Sequence, residues 1–239
     1  ATNKFAYGVR RRYLLGGQMD SVMNYPWRTA ILEFVKGGDA ALFESRLLSI
    51  LENYPEPALH TLMNSLSTHD TVRAITYFGV EHAVPDEEKG RYKMTEEEYQ
   101  NGCEKLMRAA FLQFTLPGIP CIYYGDEVGL YGFRDPYCRM AYPWGREDAA
   151  LFTFFKSLAA VRTAYREDFS GPFKPYAKED GLYAFLRGGL LCAINEGKEA
   201  TPLLFKDRTC IFSHGKVEFS EEGALLSPGA FVLLKKTAN

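Results

Sequence analysis

The chain has 239 residues, of which 46% are hydrophobic and 24% charged, and a formal net charge of −2. That balance fits a folded globular protein of one large or two smaller domains, and it excludes a strongly basic nucleic-acid or anionic-membrane surface. No apolar run approaches the ~20 residues of a membrane span and no signal peptide is visible. The five cysteines include no CxxC pair, which argues against a disulfide framework and a zinc site and for reduced thiols in a cytoplasmic protein.

In chain order, residues 1–17 read as a loop with a solvated basic cluster, Arg10-Arg11-Arg12. The stretch lacks a starting Met and reads as mid-sequence, so a longer parent protein is expected. Residues 19–25 (MDSVMNY) predict a short strand with Asn24 and Tyr25 at its carboxyl end, broken by Pro26. Residues 27–35 (WRTAILEFV) carry apolar side chains at helical spacing, and Gly37-Gly38 ends that helix. Asp39 is placed to cap a helix over 40–53 that buries Leu42, Leu47, Leu48 and Leu51, and Pro55 and Pro57 stop it. A strand is expected over 59–66, then a polar corner, Ser67-Thr68-His69-Asp70. Two readings of that corner stay open: an active-site turn at the carboxyl end of a strand, or a cap with Asp70 near the next helix N-terminus.

Residues 81–94 read as a surface loop. Thr95 with Glu98 forms a capping box for a helix to about Leu116. Residues 119–124 (IPCIYY) predict a parallel strand buried on both faces, followed by a Gly-rich charged loop over 125–145. Asp148 caps a helix over 149–165. Strands alternating with amphipathic helices predict an α/β fold with a parallel sheet. Beyond residue 168 the period changes, and short strands over 183–187, 190–195, 201–205, 216–219 and 230–235 predict a small antiparallel β domain. The expected division is 1–168 and 169–239.

Two ordered stretches, NSLSTHDTVR (64–73) and GIPCIYYGDEVGL (118–130), resemble the α-amylase superfamily, glycoside hydrolase family 13. MDSVMNYP and DPYCRMAYPW (135–144) resemble its neopullulanase and cyclomaltodextrinase branch. The resemblance implies strands six to eight of a (β/α)₈ TIM barrel, followed by an antiparallel β-sandwich domain. It implies a retaining hydrolase acting on α-glucans or maltooligosaccharides. It makes Asp70 the third family carboxylate, which hydrogen-bonds hydroxyls of the sugar at the cleavage point, with His69 on the same sugar. Asp135 and Arg139 would hold the next sugar, set against a surface ion pair; Asn24 and Tyr25 would line the cleft, set against strand-end packing. Tyr123 and Tyr124 would lie in the barrel core. Thr68 stands where the family most often has Asn.

The family's Asp nucleophile and Glu acid/base fall after strands four and five, which this sequence does not contain, so the chain alone is expected to be inactive. A non-catalytic carbohydrate-binding or scaffold protein is the alternative. His60, His82 and His214 lack metal-ligand spacing, so no metal or cofactor is assigned; calcium would belong to the full-length parent. The expected partner is an oligosaccharide, with no nucleic acid and no membrane. Open barrel edges predict self-association.

Overall fold

The computed structural model describes residues 11–237. Arg10 of the basic cluster lies outside them, as does the 1–10 stretch. Helix α1 (Tyr25–Gly37) starts two residues earlier than the apolar spacing suggests, because Pro26 sits in its first turn, where its missing N–H costs nothing. Pro26 therefore begins the helix instead of separating it from a strand. Asp39 caps α2 (Ala40–Asn53) by accepting from Leu42 N at 2.8 Å. The buried stripe of α2 is Ala40, Phe43, Leu47 and Ile50, whereas Leu42 is 44% exposed and Leu48 and Leu51 are half-buried. Glu56-Pro57 opens a short helix α3 (Glu56–Thr61), so the strand expected over 59–66 shrinks to β1 (Met63–Asn64).

Helix α4 (Ala74–Gly79) follows the polar corner. The capping box of α5 (Glu96–Thr115) is complete: Thr95 Oγ1 accepts from Glu98 N, and the Glu98 carboxylate accepts from Thr95 N. Strand β2 (Ile119–Pro120) pairs in parallel with β1, and Met23 forms a single parallel bridge to Met63. Three parallel segments thus run side by side, short because each is paired over only one or two residues. The strand 119–124 is not buried on both faces, since Ile119 is 50% exposed and Ile122 and Tyr124 are nearly as open. Among the described residues no layer covers that face. Gly118, at φ +98°, lets the α5–β2 turn run against Leu62, whose carbonyl oxygen would meet a Cβ there at 2.6 Å. Asp148 caps α6 (Ala149–Ala164), accepting from Ala150 N and Leu151 N at 3.0 Å.

After α7 (Arg166–Ser170) come β3 (Phe173–Glu179), β4 (Leu182–Arg187), β5 (Leu190–Asn195), β6 (Thr201–Leu204), β7 (Arg208–His214), β8 (Val217–Phe219), β9 (Gly223–Leu226) and β10 (Phe231–Lys236). They form two antiparallel sheets, ordered β3-β4-β5-β10-β7 and β6-β9-β8. The two-residue period divides the larger sheet between two cores. Leu182, Ala184, Leu191, Ala193, Val232 and Leu234 face the small sheet. Tyr183, Phe185, Cys192, Ile194, Phe231 and Leu233 face the helices. The helix-side rings interlock: Tyr183 meets Phe43 edge-on at 5.3 Å, and Phe231 stacks on Phe111 at 4.4 Å. Helices and sheet thereby share one continuous core.

A buried contact between a guanidinium and a carboxyl group fastens that junction. Arg108 of α5 donates to Glu196, just past β5, at 2.8 Å; the Glu196 side chain is 2% exposed and its other oxygen has no partner. Burial pushes the Glu196 carboxyl up from 4.5 to about 8, against the pull of Arg108 and Lys105. The folded chain then binds more protons than the unfolded chain between those values, so stability falls as pH rises through them. Between pH 6 and 8 the expected loss is about 2 kcal/mol, and Glu196→Gln abolishes most of it. Urea midpoints across that range test this, and equal slopes for both proteins would refute it.

Candidate active site

The carboxyl ends of the three parallel segments converge. Met63 N donates to Val22 O at 3.1 Å and Asn24 N to Met63 O at 2.9 Å. On the other side Ile119 N donates to Leu62 O and Cys121 N to Asn64 O, both at 2.8 Å. Beneath them lies a polar floor. Asn24 Nδ2 donates to Asn64 Oδ1 at 2.9 Å, Asn64 Nδ2 to Pro117 O at 2.7 Å, and Gln113 Nε2 to Asn64 O at 2.8 Å. Asn24 Oδ1 also caps α1 through Trp27 N. Asn24 is buried with both ends of its amide engaged, which agrees with strand-end packing, the second of the two readings of this residue.

Above the floor the chain from Leu66 to Arg73 is pinned on both sides. Arg28 of α1 donates to Leu66 O at 2.6 Å and to Val72 O at 3.2 Å, and burial pulls its pKa down to about 10. Thr68 Oγ1 accepts from Asp70 N at 3.2 Å, and Thr68 N donates to Thr71 Oγ1 at 3.0 Å. The cap of α4 comes from Ser67 Oγ, which accepts from Ala74 N at 2.9 Å, so Asp70 is not the capping residue. The turn instead presents His69 and Asp70 to solvent, with side chains 55% and 57% exposed.

Four expected residues gather around Asp70. His69 Nε2 lies 3.3 Å from Asp70 Oδ1, and the Tyr25 hydroxyl 3.5 Å from Oδ2. Arg139 Nη2 stands 4.0 Å from Asp70 Oδ1, while its Nε donates to His69 O at 3.1 Å and forms an ion pair with Asp135 Oδ1 at 2.9 Å. Asp70, His69, Tyr25, Asp135 and Arg139 thus form one accessible cluster of acceptors and donors. Its chemistry suits vicinal hydroxyls: a carboxylate accepts from two neighbouring O–H groups, and the imidazole, phenol and guanidinium donate.

Sequence reasoning missed the groups that hold this cluster. Arg134 Nε donates to Asp70 O at 3.3 Å, and the buried Cys138 thiol to His69 O at 3.2 Å. Arg73, fully buried, is the hub between the two loops. Its Nε donates to Cys138 O at 3.0 Å, and its Nη1 to Tyr124 O at 2.9 Å and Asp126 Oδ1 at 3.1 Å. The guanidinium lies over the rings of Tyr123 and Tyr124, at 4.6 and 4.9 Å from their centres. Tyr124 is 39% exposed and Tyr123 is half-buried, so neither is the core residue expected. Burial raises the Asp126 carboxyl from 3.8 to about 6, and Arg73 and Ser67 oppose that rise. The one available signal was Arg73 itself, three residues after Asp70 in an otherwise small and polar run.

Among the described residues no three His, Cys, Asp or Glu side chains group to hold a metal ion. No helix among them is long and apolar enough to cross a membrane.

The family model for the α-amylase catalytic domain matches residues 6–184. An amylopullulanase of Thermoanaerobacterium thermosulfurigenes is 35% identical over 224 residues, 89% of this chain and 11% of that protein. A cyclomaltodextrinase of a Bacillus species is 37% identical over 166 residues, 68% of this chain and 26% of that protein. A solved debranching enzyme from Nostoc punctiforme superposes on 97% of this chain and 51% of its own, with a TM-score of 0.78 and 24% identity. The chain therefore spans about half the length of that structure and about a quarter or less of the two curated relatives.

Proposed function

The chain belongs to the α-amylase family, with an α/β fold of TIM-barrel type, and from that premise we propose that it is part of an α-glucan-acting glycoside hydrolase of retaining mechanism. In this reading it binds the sugar at the cleavage point and steadies its transition state. The observation that carries the reading is the exposed Asp70 carboxylate at the end of a parallel strand, ringed by His69, Tyr25 and Arg139. Asp70 accepts from the 2- and 3-hydroxyls of that sugar, and His69 donates to it. These bonds tighten as the ring flattens toward the oxocarbenium ion, so they favour the transition state over the ground state. Arg139, locked by Asp135, holds the neighbouring sugar, and Tyr25 lines the wall.

We assign residues 1–168 to the barrel, as strands six to eight, and 169–239 to a β-sandwich domain. The exposed face at Met63, Ile119 and Ile122 is then where the rest of the barrel packs. Retaining hydrolysis needs a nucleophile and an acid/base carboxyl roughly 5 Å apart. The carboxylates at this end of the chain are otherwise engaged: Asp135 with Arg139, Asp126 with Arg73, and Glu127 with the Tyr142 hydroxyl. We therefore assign the nucleophile and the acid/base to the rest of the parent. The test compares hydrolysis of a chromogenic maltooligosaccharide by this chain and by its full-length parent. The expected result is turnover by the parent alone. Turnover by the 239-residue chain would place both missing carboxylates within it and overturn this assignment.

A further inference from the structure

The turn Tyr137–Arg139 has two sides. Arg139 and Cys138 face His69, whereas Tyr137 lines a separate cavity of about 440 Å³ between the loops at 80–95 and 125–146. That volume lies within the ~300–1,000 Å³ of small-molecule sites. Its walls carry five aromatic rings, those of Tyr92, Tyr99, Tyr131, Phe133 and Tyr137. The rings are held in place: Tyr92 meets Phe133 edge-on at 5.5 Å, and Tyr99 meets Tyr131 at 6.2 Å. Glycines let the walls close in. A Cβ on Gly129, at φ +83°, would fall 2.0 Å from the Tyr99 hydroxyl.

Polar groups are fixed among the rings. The Tyr92 hydroxyl donates to Glu98 at 2.7 Å and lies 3.3 Å from His82 Nε2, and the Tyr99 hydroxyl donates to Asp148 at 2.9 Å. Each phenol oxygen keeps lone pairs that can accept from a hydroxyl. Lys89 is paired with Asp86 and stands over Phe133, so its charge is already balanced, while Arg146 adds donors at the wall. Flat apolar faces with fixed donors and acceptors beside them match a neutral pyranose, whose C–H face stacks on a ring while its hydroxyls find polar partners.

We propose that this cavity is a second carbohydrate site, which takes glucose units of an α-glucan chain outside the cleft at Asp70. The proposal rests on the α-glucan reading above. Affinity electrophoresis of the 239-residue chain through gels containing amylose tests it. The wild-type chain is retarded. Phe133→Ala and Ala141→Trp, the first removing a wall and the second filling the space, weaken apparent affinity at least fivefold, whereas Phe133→Tyr retains it. Ala141→Trp removes no packed ring, so it separates ligand loss from misfolding, and unchanged thermal unfolding of each variant checks this directly. Asp70→Ala leaves most of the retardation in place. If retardation is lost in Asp70→Ala but unchanged in Ala141→Trp, the cavity proposal is overturned and the α-glucan reading stands. If amylose does not retard the wild-type chain, the cavity proposal is overturned, and turnover of a maltooligosaccharide by the parent decides the α-glucan reading separately.

Discussion

Asp70→Asn in the full-length parent is expected to lower kcat on maltooligosaccharides by about 10³-fold or more, roughly 4 kcal/mol, with little change in KM. The substitution keeps the size of the side chain and removes its charge. Asp70 is more than half exposed, so the Asn creates no buried unpaired group and the fold should tolerate it. What is lost is a charge-assisted acceptor aimed at hydroxyls whose acidity grows as positive charge develops on the ring. An interaction made mainly in the transition state shows itself in kcat. His69→Asn, which removes a neutral or singly charged donor, should cost less. Steady-state kinetics on a chromogenic maltooligosaccharide decide the matter. A loss in kcat below about tenfold, or a loss confined to KM, would make Asp70 a ground-state contact and not a catalytic one.

The second large effect concerns stability. Arg73→Met is expected to cost about 3–5 kcal/mol, because it leaves Asp126 buried without its counter-charge. It also orphans two carbonyls, Cys138 O and Tyr124 O, that the guanidinium satisfies. The pH dependence separates these parts. Asp126 is raised from 3.8 to about 6, so the folded chain holds its proton more tightly and stability falls as pH rises through that window. Without Arg73 the carboxyl rises further, and the loss extends above pH 6. Arg73→Met should therefore be closest to wild type in acid and fall away toward neutrality. Urea midpoints at pH 5 and 7 measure this. A deficit equal at both values would mean that carbonyl satisfaction, and not the Asp126 charge, is what Arg73 supplies.

Local signals were the legible ones. Asp39, the Thr95–Glu98 box and Asp148 act on amides two or three residues away, so each cap can be read from its own neighbourhood. His69, Asp70, Asp135 and Arg139 were singled out because their stretches resemble a family, and the structure brings them together with Tyr25. Strand extent was not legible, because a parallel strand is as long as its partner allows. The run 59–66 is apolar enough for a strand, yet Glu56-Pro57 starts a helix that takes its first half. Strands β3 and β7 lie at sheet edges, so their burial patterns are too mixed to stand out. Arg73 and Asp126 are 53 residues apart, and nothing in either neighbourhood announces the other. Asn24 shows a further limit: a polar residue at a strand end reads the same whether it faces the mouth or the floor.

The five-stranded sheet has a consequence for recombination among relatives. One of its faces belongs to the helices through Tyr183, Phe185 and Phe231, and the other to the small sheet through Ala184, Ala193 and Val232. A crossover near residue 170 would join a sheet from one ancestor to helices from another. The ring contacts at Phe43–Tyr183 and Phe111–Phe231 would then have to be refitted together. The β6-β9-β8 sheet meets only the second core, so it can be exchanged while the helix-side rings keep their partners. The natural seam for shuffling in this chain therefore lies between its two sheets, and not at the point where helices give way to strands.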